Sequence, residues 1–443
     1  MTKILFIAYH FPPVGGGGVQ RNAKFVRYLA DHGYEPIVVA GERGGTDRWA
    51  PEDETLLDEI ADCADVRRIS GPEPVQEGLR ASLEWRLGLK TAHVRWWLDG
   101  VVRTGVAAGG DVDLVYASLI PYETAEAAAE IARRIGKPWI ADLQDPWALD
   151  EMWLYPSAVH RAIDLRRMRR LLGSAAAIVM NTDEAAARLL RSFPELRDRL
   201  VTSIPNGFDA ADFVGEPPER SKARFRIVHA GYLHTEHGLR LRRTRRLRRL
   251  LGGSAPVDIL PRSHVYLLRA LERLLLAEPE LGSNLELVLA GVLTDLDRQI
   301  AESSAVAVDL PGYLTHAATV DLMRSADLLF LPMHDLLDGR RAGLVPGKTY
   351  EYLAARRPIL GAVPPGDARD LLLDAGSAFV CAPTDIDAMT RIVADCVRRW
   401  QSGEDGPMPD ETVLARYDRR ELTRRLVAVF DRVLEGARDV LVA

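Results

Sequence analysis

Short runs of Val, Ile and Leu recur along the chain, and between them apolar positions return every three to four residues. Continuous apolar runs mark strands covered on both faces, and helical spacing marks the covering layer, so the pattern predicts parallel sheets wrapped by helices. In the first half the runs are Ile4–His10, Pro36–Ala40, Val66–Ile69, Leu114–Ser118, Trp139–Leu143, Ala177–Asn181 and Val201–Ile204. In the second they are Arg226–Ala230, Leu285–Ala290, Val306–Leu310, Leu328–Pro332, Pro358–Ala362 and Phe379–Cys381. Between the groups, Gly207–Lys222 carries Pro217-Pro218 and several charges and reads as an interdomain linker.

The stops are as informative as the runs. Val19, Ala23, Val26 and Ala30 fall at helical spacing and Gly33 follows as a left-handed stop, so strand, glycine loop, helix and strand occupy residues 3–40. A helix over Thr124–Ile135 ends the same way at Gly136-Lys137-Pro138, and a strand begins at once. From Glu411 to Val442 helical spacing continues without another strand, which predicts one or two terminal helices. The organisation expected is an N-terminal Rossmann-like domain over 1–212, a second over 222–408, and helices over 409–443 that pack across both.

Length and charge agree with this picture. The chain has 443 residues, 57 Lys+Arg against 63 Asp+Glu, a net charge of −6 and 47% hydrophobic residues. That suits two cores of ordinary size and gives no general attraction to nucleic acid. Cys63, Cys381 and Cys396 are odd in number and widely spaced, which argues against a disulfide framework or structural zinc. Ile4–Ala8 is too short for a signal segment and no window of 18 residues is uninterruptedly apolar, so a cytoplasmic protein is expected.

Two turns carry candidate chemistry. Phe11-Pro-Pro-Val-Gly15-Gly16-Gly17-Gly18-Val-Gln-Arg21 sits between a strand and a helix, where bare amides can receive an anion or a polar substrate. A nicotinamide-binding fingerprint fits poorly, because the glycines are consecutive and Glu42 follows a strand that ends at Ala40-Gly41. A flexible turn without ligand is the other reading. The second turn, Val345-Pro346-Gly347-Lys348-Thr349-Tyr350-Glu351, combines a Pro-Gly bend, an ammonium and a carboxylate at a helix start. It offers charge to phosphates and an acceptor to the hydroxyls of a ribose, or else is an ordinary helix with an exposed Lys–Glu pair.

Together these elements resemble the glycosyltransferases of the GT-B fold, family 4 type. The resemblance rests on FPPVGGGGVQR, KPWIADLQDPW at Lys137–Trp147, IPNGFDAADF at Ile204–Phe213, AGYL at Ala230–Leu233 and PGKTYEYLAARRPIL, which stand in family order over most of the chain. It implies an α/β fold of two Rossmann-like domains facing each other across a cleft. It also implies transfer of a sugar from a nucleotide diphosphate to a hydroxyl acceptor with retention, without metal or cofactor. Same-fold epimerases or hydrolases, and non-catalytic nucleotide-sugar binders, are the alternatives.

Carried over residue by residue, the resemblance assigns Lys348 and Gly347 to the diphosphate and Glu351 to the donor ribose. Gly231 and Tyr232 fall in the donor-side strand end, and Arg262 in Pro261-Arg262-Ser263-His264 is the expected second diphosphate cation. The family's paired-glutamate motif is half missing, because Gly343 stands where the first Glu would be; Asp335 or Asp338 could substitute if their loop folds inward. On the acceptor side stand Gly16, Gly17 and Gly18, with Ser118 where many members carry a His. Asp145 either orients the acceptor hydroxyl or caps the next helix.

Two basic stretches complete the reading. Residues 239–249, LRLRRTRRLRR, have seven arginines and a poor amphipathic face, which suggests a folding-over insertion or a solvated arm rather than a nucleic-acid site. Leu79–Arg103 mixes Trp85, Trp96 and Trp97 with basic residues. That suits either peripheral attachment to the inner face of a membrane or a buried helix pair.

Overall fold

The computed structural model describes residues 1–41, 54–61, 63–69, 71, 78, 83–84, 89–251 and 257–442. Glu42, Trp85 and the basic residues Arg80 and Arg86 lie outside them. The chain divides into two compact units, one of Met1–Asn206 with Arg419–Ala443 and one of Gly207–Asp418.

The first unit is built on strands β1 (Thr2–Ile7), β2 (Tyr34–Ala40), β3 (Asp65–Arg68), β4 (Leu114–Ser118), β5 (Trp139–Leu143), β6 (Ala177–Met180) and β7 (Leu200–Ser203). They form one parallel sheet in the order β3-β2-β1-β4-β5-β6-β7, with Phe6 opposite Tyr116 and Ser118 opposite Asp142. The second unit begins with β8 (Phe225–Ala230), β9 (Val257–Asp258), β10 (Leu285–Ala290) and β11 (Val308–Gly312), and continues with β12 (Leu328–Pro332), β13 (Asp335–Leu336), β14 (Ile359–Ala362) and β15 (Ala378–Cys381). Its six-stranded parallel sheet runs β11-β10-β8-β12-β14-β15, and β13 and β9 form a small antiparallel pair beside it. Both large sheets therefore wind outward in both directions from their first strand, the doubly wound order in which ligands bind outside the carboxyl ends where the order reverses. The switch point lies between β1 and β4 in one unit and between β8 and β12 in the other.

Local sequence explains the element ends. The helix Gly17–Leu29 passes through a short 3-10 turn and stops at Gly33, whose φ of +80° a side chain would resist. The helix Thr124–Ile135 stops at Gly136 with φ +66°. Strand faces are apolar on both sides, and Leu5, Ile7, Val115 and Ile178 are wholly buried in one core with residues of the helices Ala92–Ala108 and Thr124–Ile135. The opposite face takes Ile4, Phe6, Tyr116 and Val179.

The terminal helix Arg419–Val442 belongs to the first unit. Leu422, Leu426 and Phe430 recur at helical spacing, all completely buried, and Phe430 meets Tyr34 and Tyr116 edge to face. The segment read as a linker is strapped to the second unit: Arg324 donates to the carbonyls of Val214 and Gly215, and His316 pairs with Asp212 at 3.0 Å.

The arginine-rich stretch forms a helix, Thr235–Leu251, not an arm. Leu241 is buried, Leu239 packs on the core, and Arg242 pairs with Asp258 and donates to the Tyr266 hydroxyl. In the other basic stretch Trp97 is wholly buried, its Nε1 donating to Thr124 Oγ1 at 2.9 Å, and Trp96 packs against the same core. Those two tryptophans stabilise the helix Ala92–Ala108 in its unit and offer little to a lipid surface. Among the described residues no helix is long and apolar enough to cross a membrane.

Candidate functional site

In the second unit the chemistry gathers at the switch point. β8 ends at Ala230 and turns sharply through Gly231, whose φ is +116° and whose N–H donates to Ala290 O at 2.8 Å. Lys348 opens the short helix Lys348–Ala354 and fills the space that a side chain at Gly231 would need: a Cβ there would stand 2.6 Å from Lys348 Nζ. The backbone favours glycine here, and a side chain would also have to push the Lys348 ammonium aside.

Lys348 is held from beneath by a histidine. His229 is buried on β8; its Nδ1 lies 3.0 Å from Phe330 O and its Nε2 3.2 Å from Lys348 Nζ. The carbonyl accepts from a protonated Nδ1, which leaves Nε2 with a lone pair to accept from the ammonium. Burial and then the Lys348 charge push the His229 imidazole well below its usual range, so it stays neutral. Burial also brings Lys348 down to about 7, Arg262 pushes in the same direction, and Glu351 opposes them.

Arg262 enters through the backbone as well as through its charge. Its carbonyl accepts from His234 N at 3.0 Å, tying the segment before the helix Val265–Ala277 to the loop after β8. His234 is driven down to about 2 by burial and then by Arg262, Lys348, His237 and His334. His334 is itself buried, two residues past β12. Lys348, Arg262, His229, His234 and His334 thus share one neighbourhood, with Gly231 and Tyr232 in its turn and Gly347 at its edge. Arg262 depresses the Lys348 ammonium, and Glu351 is the acid that opposes it.

Gly343 is buried between Ala342 and Leu344, where Ala342 bridges to Gly366. Asp338 holds Arg340 at the surface, and Asp335 sits on β13 against β9, its carboxyl raised by burial and by Asp258. Neither carboxylate is engaged with Lys348 as a replacement for the absent glutamate.

The first unit arranges its switch point differently. Gly16, at φ +114°, caps the helix Gly17–Leu29, and its carbonyl accepts from Val19 N and Gln20 N. Gly18 lies against Gln144, whose Oε1 would be 2.5 Å from a Cβ at that position. The two N–H groups of Gln144 Nε2 are shared among Gly18 O at 3.3 Å, Asn22 Oδ1 at 3.3 Å and Ser118 Oγ at 3.1 Å, and Asn22 Nδ2 also reaches Ser118 Oγ. Gly18 and Ser118 are therefore joined through Gln144. Ser118 Oγ is approached by both side-chain amides.

Beneath that network, Asp142 takes Arg21 and the Tyr116 hydroxyl in a fully buried triad, and Arg21 Nη2 also donates to Ile204 O at 3.0 Å. Burial opposes the Arg21 charge, but Asp142 and Tyr116 outweigh it and raise the guanidinium; burial and Asp142 lift Tyr116 well above its usual range. Asp145 lies beyond β5, before the 3-10 turn Trp147–Leu149, which has Pro146 at its start and no side-chain cap. After burial, the Asp145 charge is the next cause holding the Tyr122 hydroxyl protonated. Tyr122 stacks on Trp147, a residue at φ +49°.

Comparison with known proteins fits this geometry. Residues 16–207 match the model of the glycosyl transferase 4-like domain. The first unit thus carries a glycosyl transferase 4-like domain, and the chain as a whole has the GT-B fold of the solved structures below. No curated protein sequence matches it.

Solved structures of the same fold include Alr3699/HepE of Anabaena in complex with UDP and glucose, with TM-score 0.62, 16% identity and coverage of 98% of this chain and 100% of the other. Sucrose-phosphate synthase of Thermosynechococcus elongatus gives 0.65 at 12% identity over 98% and 100%. A putative UDP-N-acetylglucosamine 2-epimerase of Listeria monocytogenes gives 0.54 at 14% identity over 98% and 97%.

The sequence reading missed His229, His234 and His334, although the signal was present. Two of them bracket Ala230-Gly231-Tyr232-Leu233 and the third follows Leu331-Pro332-Met333, at the carboxyl ends of neighbouring strands. Gln144 was passed over between two aspartates.

Proposed function

We propose that this protein is a glycosyltransferase that moves a sugar from a nucleotide diphosphate to a hydroxyl acceptor, with retention at the anomeric carbon. The observation that carries the reading is the buried Lys348 ammonium, lowered by burial and by Arg262, seated on His229 and packed against a glycine turn at the β8–β12 switch point. In this reading Lys348 and Arg262 neutralise the diphosphate and Glu351 accepts from the ribose hydroxyls. Gly231, Tyr232 and Gly347 shape the turn. Ser118, Asp145 and the loop of Gly16, Gly17 and Gly18 serve the acceptor in the first unit, with Gln144 orienting Ser118.

The chemistry asked of the protein is electrostatic. As the bond from the anomeric carbon to the diphosphate oxygen breaks, negative charge grows on that oxygen, which takes the proton of the incoming hydroxyl. Lys348 is strengthened as this happens, because an approaching dianion raises its affinity for a proton. His229 holds the ammonium in place by accepting one of its hydrogen bonds.

Incubating the protein with UDP-, GDP- and ADP-sugars, with and without hydroxyl acceptors, and identifying the products tests this. A glycosylated acceptor supports transfer. A free sugar or an epimer formed equally without acceptor would assign the fold's other chemistry, and binding without turnover would make it a nucleotide-sugar binder.

A further inference from the structure

The second unit holds a cavity of about 300 Å³ at the end of its sheet opposite the Gly231 turn. It opens where Phe225 starts β8, Asp327 precedes β12 and Pro358 precedes β14, and the end of the helix Ile386–Gln401 closes it. The six residues of β8 place it about 20 Å from the Gly231 turn, at roughly 3.3 Å per residue. Nothing in the proposed transfer uses it.

Four arginines, Arg220, Arg356, Arg357 and Arg399, line it against Asp327, Glu404 and Asp405, and Arg220 is paired with Asp405 at 3.3 Å. Arg357 donates through Nε to Arg324 O at 2.7 Å, and its guanidinium is held below its usual range by burial first and by Arg220 next. Arg399 makes no side-chain hydrogen bond or ion pair among the described residues. Asp327 is buried; its Oδ2 accepts from Arg226 N at 2.9 Å, but its Oδ1 makes no hydrogen bond and stands 3.7 Å from Arg220 Nη1. Phe379 and Trp400 supply an aromatic wall, Trp400 lying edge to face with Phe225.

We propose that this cavity binds a small sugar phosphate. A ring hydroxyl donates to Asp327 Oδ1, which completes a buried acceptor whose unmade bond is costly. The phosphate lies between Arg357 and Arg399, where guanidinium forks suit its oxygens. The C–H face of the ring rests on Trp400. A volume at the low end of ligand sites, which run from about 300 to 1,000 Å³, matches a hexose phosphate better than a nucleotide sugar. The site does not depend on the transfer reading.

Calorimetry with glucose 6-phosphate on the full chain tests it. Wild type should bind, Arg399→Ala and Arg357→Gln should each weaken binding by at least about tenfold, and Lys348→Met should bind as wild type does. Arg399 is exposed, so its variant should keep the wild-type melting temperature and separates lost binding from lost folding. Glucose and inorganic phosphate alone should each bind at least about tenfold more weakly. No binding by wild type at millimolar ligand, full binding by both arginine variants, loss in Lys348→Met, or equal binding of phosphate alone would each overturn the proposal.

Discussion

At their switch points the two units treat buried charge in opposite ways. In the first, Arg21 meets Asp142 and Tyr116 meets the same carboxylate, so the positive charge is matched inside the fold. In the second, Lys348 and Arg262 stand among three histidines, and Glu351 is the acid that acts on Lys348 against the depressing effects of burial and Arg262. A matched pair is scaffold: its value is lost when one partner goes. A buried ammonium lowered by its surroundings is stabilised again by a ligand of opposite sign, which makes Lys348 the candidate contact for an anion.

That contrast can be broken most forcefully on the scaffold side. Asp142→Ala leaves Arg21 buried without its carboxylate and should destabilise the protein by about 3–5 kcal/mol in chemical denaturation. If the loss is under about 1 kcal/mol, the triad is not the matched scaffold described here. On the other side, Lys348→Ala should remove about 2.7–4 kcal/mol of transition-state stabilisation, a fall of about 10²–10³ in kcat. It should leave the stability of the ligand-free protein unchanged or higher. An unchanged kcat removes Lys348 from the chemistry.

Glu351→Ala should have a smaller and different effect, raising KM for the donor about tenfold with little change in kcat, because ribose contacts are alike in the ground and transition states. A loss in kcat alone would give Glu351 another role. The pH response is gentler still. Lys348 binds its proton near 7 in the fold and near 10.5 when unfolded, so between those values the unfolded chain carries the extra proton. Stability of the free protein should therefore rise with pH across that window, and the rise should shrink in Lys348→Met. Donor kcat/KM should fall as pH climbs through about 7, since the ammonium is the form that meets the diphosphate.

Periodicity made the scaffold legible. Runs such as Leu114–Ser118 and Leu328–Pro332 became strands at those residues, since both faces are covered and no alternation was needed. β9 and β13 escaped notice because two residues cannot display a period. The helix Thr235–Leu251 looked like an arm because Leu239 and Leu241 are few, yet they suffice to dock it while Arg242 is tied to Asp258. At the site, Gly231 and Lys348 could be named from motif order, but not that the first turns through φ +116° with the second packed against it. His229 and Gln144 act by orienting a neighbour, a role that spacing along the chain does not reveal.

The central claim is that the cationic group beside Gly231 holds the diphosphate of a nucleotide sugar. Titrating UDP, GDP and ADP in turn into wild type and Lys348→Met near pH 6.5 measures this directly. At least one nucleotide should bind wild type and bind the variant at least about tenfold more weakly, with most of that difference gone near pH 9, where Lys348 is neutral. Equal affinity of the two proteins at the lower pH, or no binding of any of the three, would contradict the account.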